Sequence, residues 1–347
     1  MRTASRASNG GASGGEVPQS HEFCSSVEDE VKRSVTFRVA VPVLAAVVLL
    51  AVFSVRAAPI VRGAYGISLD AAHANGFNTV TCSPDRACLD AAQAAGLKAV
   101  VWEGSYNEAV PCGFDRSDQT IVDDMHSIAG HPAVEAWQIS DEPDYALAGS
   151  CANAVQQHRA RTALIHVYDS RPTYTVISTW DGKNAYPYAP WTGATDIMGL
   201  DVYPCKRSSS EPVGTSHCDF SMIDNAVAAA SSAHVSHYWA VMQAFGACFS
   251  DGNCYALPTR DQLADQFERW EHSSMEGYFL YDWTQQASWM IQWCSQESYC
   301  QQQVAASNAA NIVTPQPTSA PPPSPAPTPK PTATGTRLLC PWLCIHL

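Results

Sequence analysis

The 347-residue sequence is short of charge, and shortest of positive charge. Only 15% of its residues are Asp, Glu, Lys or Arg, and 20 cations face 33 acids, for a net charge of −13. Such a balance excludes nucleic acid and anionic lipid as main partners and suits neutral or cationic ligands. The phosphate-binding loops GxGxxG and GxxxxGK[ST] are absent, which removes the usual signal for a dinucleotide or nucleoside triphosphate. There is no HExxH and no CxxC, so the histidines and cysteines carry no metal signature. His126 and His131 stand five apart, and His234 and His237 flank a helix end. Residues 61–310 lack GxSxG, which argues against a serine hydrolase. No metal, no cofactor and no internal repeat is expected, and the chain is read as a monomer.

What is present divides the chain into five parts. Residues 1–33 are polar and rich in Gly, Ser and acids, and read as disordered. Residues 34–58 contain one long apolar run, 39–55, preceded by Lys32, Arg33 and Arg38. Two readings fit it: an uncleaved N-in membrane anchor or a signal segment with a weak cleavage site at Val55-Arg56-Ala57. Either would export the chain beyond residue 58, to the outer side of the plasma membrane or into the medium. Thirteen cysteines agree with an oxidising compartment. Residues 59–313 form the main domain, and at 46% hydrophobic residues overall a sizeable core is available. Residues 314–336 are a Pro/Thr/Ser spacer, extended in character, and 337–347 a short tail with Cys340 and Cys344.

Within the main domain, apolar runs alternate with helical stretches. Strands are expected at 62–67, 77–82, 97–103, 134–140, 173–178, 196–202, 237–244 and 277–282. Helices are expected at 69–75, 85–95, 118–129, 152–168, 222–233, 260–273 and 285–303, with little helix in the fifth connection, 179–195. Eight strands separated by helices match an α/β fold of the (β/α)8 TIM-barrel type, whose active face lies at the C-terminal strand ends. The open doubly wound sheet is the alternative, but its glycine-rich first turn is missing.

Residues 134–144 read Val-Glu-Ala-Trp-Gln-Ile-Ser-Asp-Glu-Pro-Asp. The strand ends in Asp141, Glu142 and Asp144 around Pro143, which should hold Glu142 extended and block a helix start. Other strand ends bring Trp102 and Glu103, Asp201 and Tyr203, Gln243, and Tyr281, Asp282 and Trp283; the fifth connection adds Trp180, Asp181, Tyr186, Tyr188 and Trp191. Rings can lie on the apolar face of a sugar, and paired carboxyls are what acetal hydrolysis requires. Trp137, inside its strand, reads as core.

The runs His131-Pro132, Trp137, Asp141-Glu142-Pro143, Asp201-Val202-Tyr203-Pro204, Gln243-Ala244-Phe245-Gly246 and Tyr281-Asp282-Trp283 resemble the clan A glycoside hydrolases and their TIM-barrel relatives. The resemblance spans most of 61–310. It implies that Glu142, in the place of the clan's Asn-Glu-Pro acid, is the general acid/base. Asp141 takes the place of the sugar-binding Asn, and Trp283 that of the stacking aromatic. Gln243 stands near the clan's nucleophilic Glu, and an amide cannot serve there. Asp282, Asp201 or Glu103 could supply the second carboxylate, with Asp201 and Asp282 counted as catalytic. Asp141, Glu103, Tyr203, Gln243, Trp283 and Trp180 are the candidate substrate-binding residues. Two functions remain open: an exported hydrolase of O-glycosidic bonds in a polysaccharide or oligosaccharide, or a carbohydrate-binding barrel without catalysis.

Cys24 precedes the apolar run. In the main domain, Cys82 with Cys88, Cys205 with Cys218, Cys248 with Cys254 and Cys294 with Cys300 would close short loops. Cys112 and Cys151 lie after strands that are adjacent in a barrel, and so can bridge.

Overall fold

The short apolar runs become strands because their β-branched and aromatic residues fit a sheet buried on both faces. A computed structural model describes residues 60–146, 151–181, 183–249 and 254–311. Eight parallel strands, β1 (Val61–Ala64), β2 (Thr79–Cys82), β3 (Lys98–Trp102), β4 (Val134–Ser140), β5 (Thr173–Ile177), β6 (Ile197–Val202), β9 (Tyr238–Gln243) and β12 (Gly277–Tyr281), run side by side. Their order is β1-β12-β9-β6-β5-β4-β3-β2. The seam between β1 and β2 is closed by Asn78, whose Oδ1 accepts from Arg62 N at 2.8 Å while its Nδ2 donates to Ile60 O at 2.9 Å. The (β/α)8 expectation therefore holds.

Side-chain parity sorts the core into two layers. On β9, Trp239 and Val241 join the inner cluster with Tyr174, Phe279 and Val100. Tyr238, Ala240 and Met242 face the helices. Two glycines make the interior possible: a Cβ on Gly63 would enter the Phe279 ring, and one on Gly199 would lie 2.7 Å from the Tyr174 hydroxyl.

Helices α1 (Leu69–Ala74), α2 (Arg86–Ala94), α3 (Asp118–Ile128), α4 (Ala154–His166), α5 (Ser221–Ser232) and α6 (Arg260–Glu271) form as expected within a few residues. After β5 only a 3₁₀ turn, Ala189–Trp191, takes the helix position. The last helix is a correction: α7 covers Ser298–Asn311 rather than 285–303. Residues 290–293 instead form β13 (Met290–Trp293), because Gly246 and Phe245 offer an open edge to pair with.

That edge belongs to a second sheet, which the sequence pattern did not signal. Strands β7 (Cys205–Arg207), β8 (His217–Cys218), β10 (Phe245–Cys248) and β11 (Cys254–Tyr255) join β13 in the order β13-β10-β11-β7-β8. Its pairings are antiparallel, and its strands come from the connections after β6, β9 and β12. The five expected disulfides all form: Cys82–Cys88, Cys112–Cys151, Cys205–Cys218, Cys248–Cys254 and Cys294–Cys300. Two of them clip this sheet.

Among the described residues no helix is long and apolar enough to cross a membrane. The expected anchor or signal segment at 39–55, the segment 1–33, the spacer, the tail, and Cys24, Cys340 and Cys344 lie outside the described residues.

Candidate active site

The mouth is set by the end of β4. The β4–β5 register shifts between Gln138 and Ser140, and Ser140 Oγ meets His158 Nε2 of α4 at 2.7 Å. An irregularity of this kind re-aims the residues beyond it. Glu142 then takes a left-handed backbone, with φ 39°. This corrects the extended conformation expected before Pro143. Pro143 also opens a 3₁₀ turn, Pro143–Ala146, rather than blocking one, its missing N–H being harmless at a first helical position. The positive φ costs free energy on a non-glycine residue, and the fold holds it through Glu142 N, which donates to Val176 O at 3.0 Å.

Asp201, at the end of β6, is 4% exposed and pairs with Glu142 through a side-chain hydrogen bond. Burial first, then the Glu142 charge and that bond, raise the Asp201 carboxyl well above the ordinary range; Tyr203 lowers it by hydrogen bonding. One Asp201 oxygen has no hydrogen-bond partner. Glu142 is half-buried and also raised, by burial, with the Asp201 bond opposing. Asp141 keeps solvent contact, yet the protein packed about it, with Glu142, Glu108 and Asp144, pushes its carboxyl up to about 8. Solvent contact moderates that rise, and its direction agrees with the crowding of acids. Asp144 is buried and accepts from Ser178 N at 3.2 Å and from Ser178 Oγ at 2.5 Å.

Tyrosines wall this group. Tyr203 stacks on Tyr281 at 5.9 Å, and both feel the charges of Asp201, Glu142 and Asp141. Tyr65 bonds Gln138 Oε1 and Tyr174 Oη, each at 3.4 Å, and lies close enough for Asp141 to raise it. Sequence reasoning missed Tyr65, Tyr174 and Gln138. The inward parity of Gln138 on β4 and Tyr174 on β5 was the signal available.

The other candidates are placed elsewhere. Gln243 is fully buried: its Oε1 accepts from Cys205 N at 2.8 Å, and its Nε2 donates to Cys205 O, Ala256 O and Phe245 O. It bonds neither a catalytic acid nor a surface open to ligand, contrary to expectation, because it fastens β9 to the second sheet. Trp283 is 3% exposed and meets Phe77 edge-on at 5.5 Å, so it is packed in the core instead of offered for stacking. Glu103 is buried against Arg116, Nη1–Oε2 2.8 Å; burial raises it to about 8 against the pull of Arg116. Asp282 is buried and raised by burial to about 7; the amides of Trp283, Thr284 and Gln286 lie near without closing to hydrogen-bond geometry on either oxygen. Of the substrate candidates, Trp180 and Asp141 are exposed. No group of metal-ligating residues occurs among the described residues.

No protein-family model and no curated protein matches the sequence. Solved structures do. A β-galactosidase from Bacillus circulans sp. alkalophilus is 8% identical over 73% of this chain and 56% of its own, with a TM-score of 0.54. A glycosyl hydrolase family 2 member from Bacteroides cellulosilyticus DSM 14838 is 17% identical over 62% and 24%, TM-score 0.40. A β-glucuronidase from Ruminococcus gnavus, in complex with D-glucaro 1,5-lactone, is 13% identical over 66% and 45%, TM-score 0.43. The chain spans between 24% and 56% of the length of these three proteins. The β-galactosidase likeness establishes the fold, a (β/α)8 barrel.

Proposed function

We propose that the chain hydrolyses O-glycosidic bonds of a carbohydrate, with Glu142 as general acid/base and Asp201 as its partner carboxylate. One observation carries this reading: two carboxyls from different strands meet at the barrel mouth, under tyrosine rings, with no cation among the influences that shift either. With both carboxyls raised, the pair keeps a proton to higher pH than separate solvated carboxyls would. Glu142, the more open of the two, gives that proton to the leaving glycosidic oxygen. The negative charge left on the pair then faces the positive charge growing at the anomeric carbon. Water then adds to the anomeric carbon and returns a proton to the pair, which completes the hydrolysis. Asp282 and Glu103 are less suited to the second role, the first packed under a loop and the second held by Arg116. Five disulfides support folding in an oxidising, exported setting.

The second reading is a barrel that binds carbohydrate without turnover. Gln243 favours it, since the amide near the clan's nucleophile position is wholly committed to backbone. Reducing-sugar release by the oxidatively folded chain, beside Glu142→Gln, decides between them. Turnover lost in the variant supports the hydrolase. Unchanged turnover removes Glu142 from its role, and binding without turnover selects the second reading.

A further inference from the structure

We propose that the mouth extends on both sides of Glu142 into an open cleft for an uncharged polysaccharide chain, with Trp180 and Trp289 as its sugar platforms, so that cleavage is internal to the chain. The inference rests on the hydrolytic reading of Glu142 and adds to it the substrate class and the mode of action.

Most tryptophans of the barrel are interior, Trp137, Trp191, Trp270 and Trp283 among them. Trp180 and Trp289 are 48% and 37% exposed. Both stand on the face that carries the carboxyl pair. Trp180 lies three residues after β5. Its backbone is held near Ser178, whose Oγ accepts from Trp180 N at 3.2 Å and lies 2.9 Å from Trp180 O. The same hydroxyl bonds Asp144, two residues from Glu142. Asp181 then caps the turn, accepting from Lys183 N at 2.8 Å and Asn184 N at 2.7 Å. A large apolar ring is thereby held in water beside the mouth, where a sugar face can cover it.

Trp289 reaches the site from the opposite side. It packs on Phe249 at 4.9 Å and on Phe245 at 6.1 Å. Phe245 in turn meets Tyr203 at 5.0 Å and Tyr281 at 5.4 Å, the rings that wall Asp201 and Glu142. Ring packing through the buried Phe245 therefore joins Trp289 to the tyrosines beside the carboxyl pair and fixes its place at the rim of the second sheet. A pocket closed at one end would serve chain ends; exposed rings on both flanks serve a chain that passes through. A chain of net charge −13 would repel a polyanionic glycan, which favours an uncharged one.

The test measures hydrolysis by the full chain of neutral β-linked gluco-, xylo- and manno-oligosaccharides, from disaccharide to hexasaccharide. The expected result is a kcat/KM that rises with length, and a loss of about tenfold on the hexasaccharide in Trp180→Ala and in Trp289→Ala. Aryl monoglycosides should be cleaved unchanged, and Trp289→Phe should keep most of the gain. A flat length dependence, or equal losses at every length, overturns the cleft. If nothing is hydrolysed, the hydrolase reading fails by itself, and calorimetric titration with the same ladder decides the cleft. Affinity that grows with length and falls in the tryptophan variants upholds it; no binding overturns it.

Discussion

Glu142 and Asp201 form a hydrogen-bonded carboxyl pair although β5 lies between their strands, so they meet across the curve of the barrel mouth. Both are raised above the ordinary carboxyl range, and the folded state therefore retains a proton that the unfolded chain gives up. For an acid with a raised folded pKa, the penalty is absent below about pH 4 and grows as pH climbs towards the folded value. Asp201→Asn should accordingly raise the melting temperature more at pH 8 than at pH 5, while lowering kcat by about 10²–10⁴, as should Glu142→Gln. Thermal melts at the two pH values provide the check. Equal gains at both would show that no proton is shared.

Gln243 gives a prediction of the opposite kind. Gln243→Ala removes the side-chain partner of Cys205 N and Ala256 O, Cys205 O keeping Ala256 N, at a cost of about 2–4 kcal/mol. Denaturant unfolding should show that loss, and the protein that remains folded should keep its kcat. A drop in kcat at unchanged stability would mean that Gln243 touches substrate.

These two residues also mark how far the sequence could be read. The barrel was legible because each strand is a short apolar run closed by a helix of a different period, and the glycines sit where the turns need them. Cys112 and Cys151 could be paired because adjacency of strands three and four is dictated by the barrel alone. The second sheet was not legible, since its strands are two to four residues long and its pairings join connections distant in sequence. Without it Gln243 looked like a site residue, and Trp289 lay inside an expected helix. The backbone of Glu142 was missed for a similar reason. The bias of a pre-proline residue against helical conformations is local, while the left-handed turn is imposed by β5.

The Cys112–Cys151 bridge ties the connection after β3 to the one after β4, across 39 residues. Loops of that length lose on the order of 4 kcal/mol of unfolded-state entropy on closure. Replacing both cysteines by serine should lower stability by about 2–4 kcal/mol in denaturant titration. Because the β4 connection also carries Asp141 and Glu142, KM should rise as well. Unchanged KM would show that the mouth is held by its own strand ends without the bridge.

His158 sets the acid limit of the fold. Its ring is buried behind β4, with Nε2 on Ser140 Oγ and Nδ1 on Ala154 O at 2.8 Å. Tyr106, Phe114 and Trp191 surround it at 4.8–5.0 Å. Burial lowers it from 6.5 to about 4, Arg161 adding to the fall and the Ala154 bond opposing it. For a base with a depressed folded pKa, stability is full above the unfolded value and is lost as pH falls through the window between the two. The His158 contribution to unfolding free energy should therefore decline between about pH 6.5 and 4, by on the order of 3 kcal/mol, against the opposite contribution of the raised carboxyls Glu103, Asp141, Asp144 and Asp282. His158→Gln, which retains an amide for Ser140 and has no proton to gain, should flatten that slope. Denaturant titrations across the window decide it: an unchanged slope in the variant would assign acid sensitivity to another group, and a flattened one would place it behind the strand that carries Glu142.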